Sequence, residues 1–244
     1  MLYKKGVVLI ILLPLVLLFV ASCSEDEESP VGPSPSPQAP EFTLREVAFP
    51  DAMKQSTHEK SQMAMTLTED AMTFKGTDVV LEAPEGAEAL KETSGEWEYE
   101  WQEGNLAKTL KITTSTGRIT WQMYYDGTKD GNTYNDWRCM DAVQSSDRTS
   151  GHVHLFKPGG QHIGIEWVWY TLANSDYKFI MQTYTEPCSK LDIVSKPDKS
   201  GKLERFSKNS QGNLVYDLRI TWNADGTGAW WIYEDGKQTD YGTW

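Results

Sequence analysis

Four residues within a short span carry the side chains best suited to metal or acid–base chemistry: His152, His154, His162 and Glu166. Imidazole nitrogens and carboxylate oxygens are the donors a zinc-type ion takes, and three protein ligands with an open position permit metal-assisted hydrolysis. His152 and His154 are two apart, so on a strand they share a face. Pro158-Gly159-Gly160 marks a tight turn beyond them. Pairing Lys157 with Gln161 across that turn sets Phe156 opposite His162 and His152 opposite Glu166. This register gathers the three histidines and the carboxylate on one face, with Val153, Leu155, Ile163 and Ile165 on the other, apolar one. A slip of one residue would carry His162 and Glu166 to the opposite side. The competing reading of the same residues is a row of exposed histidines that hold no metal.

A second candidate is aromatic. All 10 tryptophans lie between Trp97 and Trp244. Trp137, Trp167, Trp169, Tyr170 and Trp230 are the candidate ligand contacts, because such rings stack on sugars or line an apolar cavity while their polar atoms fix orientation. Trp137 lies with Tyr134 in a polar, Asn/Asp-rich stretch. Against this stands dense interior packing, which claims most large aromatics of a β domain. No nucleophile elbow, P-loop, GxGxxG or HExxH is present, and no cofactor is implied.

These residues need strands to position them. Trp97, Tyr99 and Trp101 alternate with Glu96, Glu98 and Glu100. Ile119, Trp121, Met123 and Tyr125 alternate with polar neighbours, as do Leu214, Tyr216, Leu218, Ile220 and Trp222. Period-two alternation predicts half-buried antiparallel strands. Glu103-Gly104, Asp126-Gly127, Asp198 to Gly201, Asp225-Gly226 and Asp235-Gly236 supply turn signals between them. Gly117-x3-Trp121-x2-Tyr124-x-Asp126-Gly127 recurs as Gly226-x3-Trp230-x2-Tyr233-x-Asp235-Gly236, so a hairpin unit is reused. The fold class expected is mainly β, an antiparallel meander closed into a barrel or strongly curved, spanning 95–244. Upstream, 42–94 reads as a helical segment that packs on it, with Met63, Leu67, Ala71 and Phe74 on one helical face.

The chain opens with Lys4 and Lys5, an apolar run from Val7 to Val20, and small residues. This is the layout of a secretory signal over 1–22, and the run is short for a membrane span of about 20 residues. Val20-Ala21-Ser22-Cys23 resembles the lipobox of bacterial lipoproteins. The resemblance implies cleavage before Cys23, diacylglyceryl modification of its thiol and anchoring to a bilayer through several acyl chains, which hold far better than one. Ser24 stands where an inner-membrane retention signal would place aspartate, which points to the outer membrane. Glu25 to Glu28 is similar to the acidic stretch of surface-exposed lipoproteins. A Pro/Ser-rich segment follows, so 23–41 reads as an extended linker. In that oxidising compartment Cys139 and Cys188 are expected to form a disulfide, with two free thiols as the alternative.

Removing Lys4 and Lys5 leaves 21 basic residues against 35 acidic ones, a net charge of −14. Nucleic acid and anionic lipid surfaces both select for basic patches and are excluded as partners. Beyond the lipobox, the chain is similar in pattern to small β-rich lipoproteins, some of lipocalin-like build. Three functions follow: non-catalytic binding of a small apolar or carbohydrate ligand, metal-dependent hydrolysis through His152, His154 and His162, or a structural or adhesive role in the envelope.

Overall fold

A computed structural model describes residues 37–244. The signal, Cys23 and most of the linker lie outside the described residues. Two helices, α1 (Asp51–Gln55) and α2 (Glu59–Met72), come first. Thirteen strands follow: β1 (Glu88–Thr93), β2 (Glu96–Glu103), β3 (Leu106–Ser115), β4 (Arg118–Lys129), β5 (Asn132–Ser145), β6 (Ser150–Phe156) and β7 (Ile163–Thr171). The second half comprises β8 (Tyr177–Thr183), β9 (Ser189–Ser195), β10 (Gly201–Lys208), β11 (Leu214–Trp222), β12 (Gly228–Glu234) and β13 (Lys237–Thr243). Each strand pairs with its sequence neighbours in one antiparallel meander.

The sheet is not closed: β1 and β13 are its two edges. All six residues of β1 are exposed, three of them charged, and β13 is exposed from Lys237 to Tyr241. Polar, charged edges resist further pairing. The space that barrel closure would fill with strand side chains is filled instead by the N-terminal segment. Phe42 lies edge-on to Trp121 of β4 at 5.3 Å and to Trp169 of β7 at 5.5 Å. Those strands are three spacings apart, about 14 Å in a flat sheet, so the sheet curls around the segment.

That segment crosses nearly the whole sheet. Trp97 of β2 donates its indole N–H to Pro37 at 2.7 Å, Gln144 of β5 donates to the Thr43 carbonyl at 2.6 Å, and Phe49 packs on Trp222 of β11 at 5.1 Å. His58 stacks on Trp244 at 5.5 Å, and its Nδ1 accepts the Lys60 N–H to cap α2. Pro37 to Pro40 are therefore seated on the domain rather than free linker.

The helical segment is shorter than the pattern suggested. The chain breaks at Ser56, and 88–93 is already strand, so the β domain begins before 95. The buried face of α2 is Ser61, Ala64, Thr68 and Ala71, one residue out of phase with Met63 and Leu67, which flank it. Small residues let the helix axis approach the sheet, and the methionines fill the sides. Ser61 and Thr68 satisfy their buried hydroxyls on the Met53 and Ala64 carbonyls.

The inner sheet face carries Leu106, Leu110, Trp121, Met123, Trp167, Trp169, Phe179, Ile193, Leu203, Ile220 and Trp222, all nearly inaccessible. Two irregularities redirect it. The β10–β11 pairing skips Asp217, so Leu214 and Tyr216 turn outward, and the Tyr216 ring packs at a tilt on Phe206, with centroids 4.5 Å apart. Asp126-Gly127 is not a turn: β4 runs through it to a turn at Asp130-Gly131. Gly127 has φ 119°, and a Cβ there would sit 2.2 Å from the Asn105 carbonyl oxygen, so only glycine fits this kink.

Cys139 and Cys188 are free thiols, which corrects the expected disulfide. Cys139 lies on β5 and donates to the Met123 carbonyl at 3.4 Å; Cys188 precedes β9 and donates to Thr183 at 2.9 Å. Each thiol is engaged by a backbone carbonyl of a different hairpin, with four strand spacings of sheet between β5 and β9.

Candidate functional site

The outer face of β4 to β8 bears a continuous polar row. Tyr124 donates to Gln122 at 3.1 Å, and Gln122 donates to Asp141 Oδ1 at 3.2 Å. His152 Nε2 stands 3.7 Å from Asp141 Oδ2. The His152 and His154 rings stack with centroids 4.3 Å apart. His154 Nε2 meets Glu166 Oε1 at 3.0 Å, and Tyr184 donates to Glu166 Oε2 at 2.9 Å. The pairing explains the row: Asp141 on β5, His154 on β6 and Glu166 on β7 are direct cross-strand partners. Alternation then places His152 on the same face as His154.

This register corrects two expectations. A bulge after Leu155 pairs Phe156 with Ile163, so Glu166 faces His154 and not His152. His162 sits on the exposed loop before β7 and does not join the cluster. Asp141 takes its place: one ligand atom from each of Asp141, His152 and His154 lies within 4.8 Å of the others. Sequence reasoning missed Asp141 because nothing local marks it. The signal was its parity on β5, between Met140 and Ala142, which face the core.

The electrostatics follow the geometry. The His152 imidazole beside Asp141, with help from Gln122 and Arg138, holds that carboxyl below the usual carboxylate range. Burial pushes the His154 imidazole down, and the neighbouring His152 pushes the same way against Glu166. Burial, then the Glu166 carboxylate, pushes the Tyr184 phenol up to about 12, which keeps it a hydrogen-bond donor.

The aromatic candidates separate. Trp167 and Trp169 are 0% exposed and belong to the core, where Phe42 and Phe74 pack on them. Trp230 also faces inward, under the Lys60 ammonium, while Tyr170 is half-buried on the outer side beside His152. Trp137 borders a different depression. It stacks on Tyr134 at 4.8 Å, and its indole N–H donates to the Gly160 carbonyl at 2.8 Å.

The depression beside it has a volume of about 620 Å³ and is rimmed by Asn135, Asp136, Arg138 and Gln161. Pairing passes from Tyr125–Trp137 to Gly127–Tyr134, so Asn135 and Asp136 bulge out of the ladder, with Asp136 at φ 46°. Arg138 donates to Gln161 at 3.1 Å and lies over Phe156.

No family model, curated protein or solved structure matches this chain. Among the described residues no helix is long and apolar enough to cross a membrane.

Proposed function

We propose that the chain is an outer-membrane lipoprotein, anchored through Cys23 and exposed at the surface, whose β domain is a non-catalytic binding module for a carbohydrate. The observation that carries this reading is the bulge at Asn135-Asp136, which lifts two hydrogen-bonding side chains beside the Tyr134–Trp137 aromatic pair. An aromatic floor with amide, carboxylate and guanidinium groups at its rim suits a ring that is apolar on one side and hydroxylated at its edge. Bulges and left-handed non-glycine residues cost energy and are found where a side chain must be aimed. Trp121, Trp167, Trp169 and Trp222 are nearly inaccessible and offer no free ring to a ligand. The hydrolase reading on His152, His154 and His162 loses that third histidine, which sits on the loop before β7 away from the other two.

A glycan array probed with the mature protein tests the module. Retention of defined glycans, weakened at least tenfold (about 1.4 kcal/mol) in Trp137→Ala and in Arg138→Ala, supports it. No retained glycan, or unchanged retention in both variants, leaves the structural or adhesive role. Fatty-acid labelling of wild type but not of Cys23→Ala tests the anchor.

A further inference from the structure

Neither the carbohydrate reading nor the fold accounts for the imidazole–carboxylate row. We infer that Asp141, His152 and His154 bind one divalent transition-metal ion of the zinc or copper class, with Glu166 and Tyr184 as positioning residues.

The Asp141–His152 separation is the first argument. At 3.7 Å the oxygen and nitrogen are too far apart for a good hydrogen bond. They are near the spacing of about 3.3 Å that two ligands of one tetrahedral ion adopt when each bond is about 2.0–2.1 Å. The third donor, from His154, falls within 4.8 Å of both, and rotation of one partly exposed imidazole out of the stack would bring it to ligand spacing.

The outer contacts are the second argument. A histidine ligand usually gives its other ring N–H to a carboxylate, which fixes the tautomer and makes the lone pair more basic. Glu166 occupies that role at Nε2 of His154, leaving the Nδ1 lone pair for the ion, and Tyr184 in turn holds Glu166. Gln122 does the same for Asp141. The row thus has ligands, their supports and a solvent-facing approach.

The donor set selects the ion. Two imidazoles and one carboxylate suit zinc and copper, and also iron(II), whereas calcium and magnesium prefer oxygen alone. The two imidazoles stack with 20° between their planes, so one ring must turn out of the stack before both in-plane lone pairs meet one ion. The remaining coordination position opens to solvent, and binding of the ion itself is the role assigned.

Calorimetric titration of the chelator-stripped protein with zinc chloride tests this, in a Cys23→Ala, Cys188→Ser background that removes competing thiols. One equivalent should bind. His152→Ala and His154→Ala should each weaken binding at least 100-fold, Glu166→Gln by about 10–100-fold, and His162→Ala not at all. Copper(II) loaded into the same protein should show hyperfine coupling to two imidazole nitrogens, reduced to one in either single variant. Circular dichroism and tryptophan emission identify any variant that fails to fold. Wild type without stoichiometric binding, or folded His152→Ala and His154→Ala binding as tightly as wild type, overturns the site. Glycan retention measured in chelator reports on the carbohydrate reading separately.

Discussion

Trp222 lies across the strand position of Gly201, so close that a Cβ on Gly201 would come within 2.5 Å of the indole Cζ2. The two are direct partners in the β10–β11 ladder, and the indole N–H donates to the Lys199 carbonyl in the turn beyond at 2.9 Å. Gly151 under Trp169, Gly228 under Trp244 and Gly242 under Trp230 repeat the relationship. Trp244 likewise donates to the Gly226 carbonyl at 2.9 Å. The turns match as well: Asp147, Asp198 and Asp225 each accept the N–H two residues on. Glycine removes the side chain, and the tryptophan covers the bared backbone.

Gly201→Ala is therefore expected to destabilise the domain by roughly 1–3 kcal/mol, the cost of forcing a methyl into a packed contact. Gly164 is the control: a Cβ there meets only ordinary contacts at 3.4 Å. Gly164→Ala should be neutral or slightly stabilising, because alanine loses less backbone entropy. Urea unfolding of the two variants, followed by tryptophan emission, compares them. Equal midpoints would show that the indole contact imposes nothing.

The thiols give a second prediction. Burial pushes the Cys139 thiol up to about 12, so at pH 8 almost none of it is thiolate, the reactive form. Cys188 is only half-buried. In a Cys23→Ala background, iodoacetamide at pH 8 should modify one thiol of the native protein, Cys188, and reach Cys139 only in denaturant. Two thiols that both resist alkylation until a reductant is added would restore the disulfide.

The strands were legible in the sequence because one face is core and the other water, and Trp121-x-Met123-x-Tyr125 records that directly. Parity fails wherever a bulge adds a residue. The skipped Asp217 sends Tyr216 outward, and the bulge after Leu155 moves Glu166 from His152 to His154. Neither has a local marker, since a bulge is fixed by the neighbouring strand. Closure was equally hidden: whether β1 meets β13 depends on curvature summed over thirteen strands and on the 37–81 segment inside. The hairpin repeat was legible in part. The offset from Gly117 to Gly226 spans several hairpins, and the Asp-x-Thr/Ser turn with its following glycine was the finer signal.

Phe42 should behave as a wedge. It is partly buried between indoles of β4 and β7, and no other ring bridges Trp121 and Trp169 among the described contacts. Phe42→Ala should cost about 2–4 kcal/mol, at or below the lower end of the range for truncating a fully buried phenylalanine, because Phe42 is partly buried. It should also shift tryptophan emission to the red as water reaches the indoles. Leu90→Ala, on a side chain 49% exposed at the β1 edge, should change stability by less than about 0.5 kcal/mol. Equal effects of the two would mean that residues before α1 do not contribute to the fold.

His154 sets the pH response of the outer row. Its folded-state pKa lies below the ordinary imidazole value of 6.5, with burial as the leading cause. Below that value the unfolded chain binds the proton more readily than the folded one, so stability falls as pH drops. The contribution is complete above about pH 6.5 and declines as the pH approaches the lowered folded value. Asp141 adds a loss of the same sign at lower pH, since its carboxyl is held below 3.8 in the fold. His154→Gln keeps a polar side chain but cannot titrate. Urea midpoints of wild type should fall between pH 7.5 and 5.5, and the variant should show a smaller fall. A larger fall in the variant would mean that the folded row prefers the protonated imidazole, with Glu166 outweighing burial.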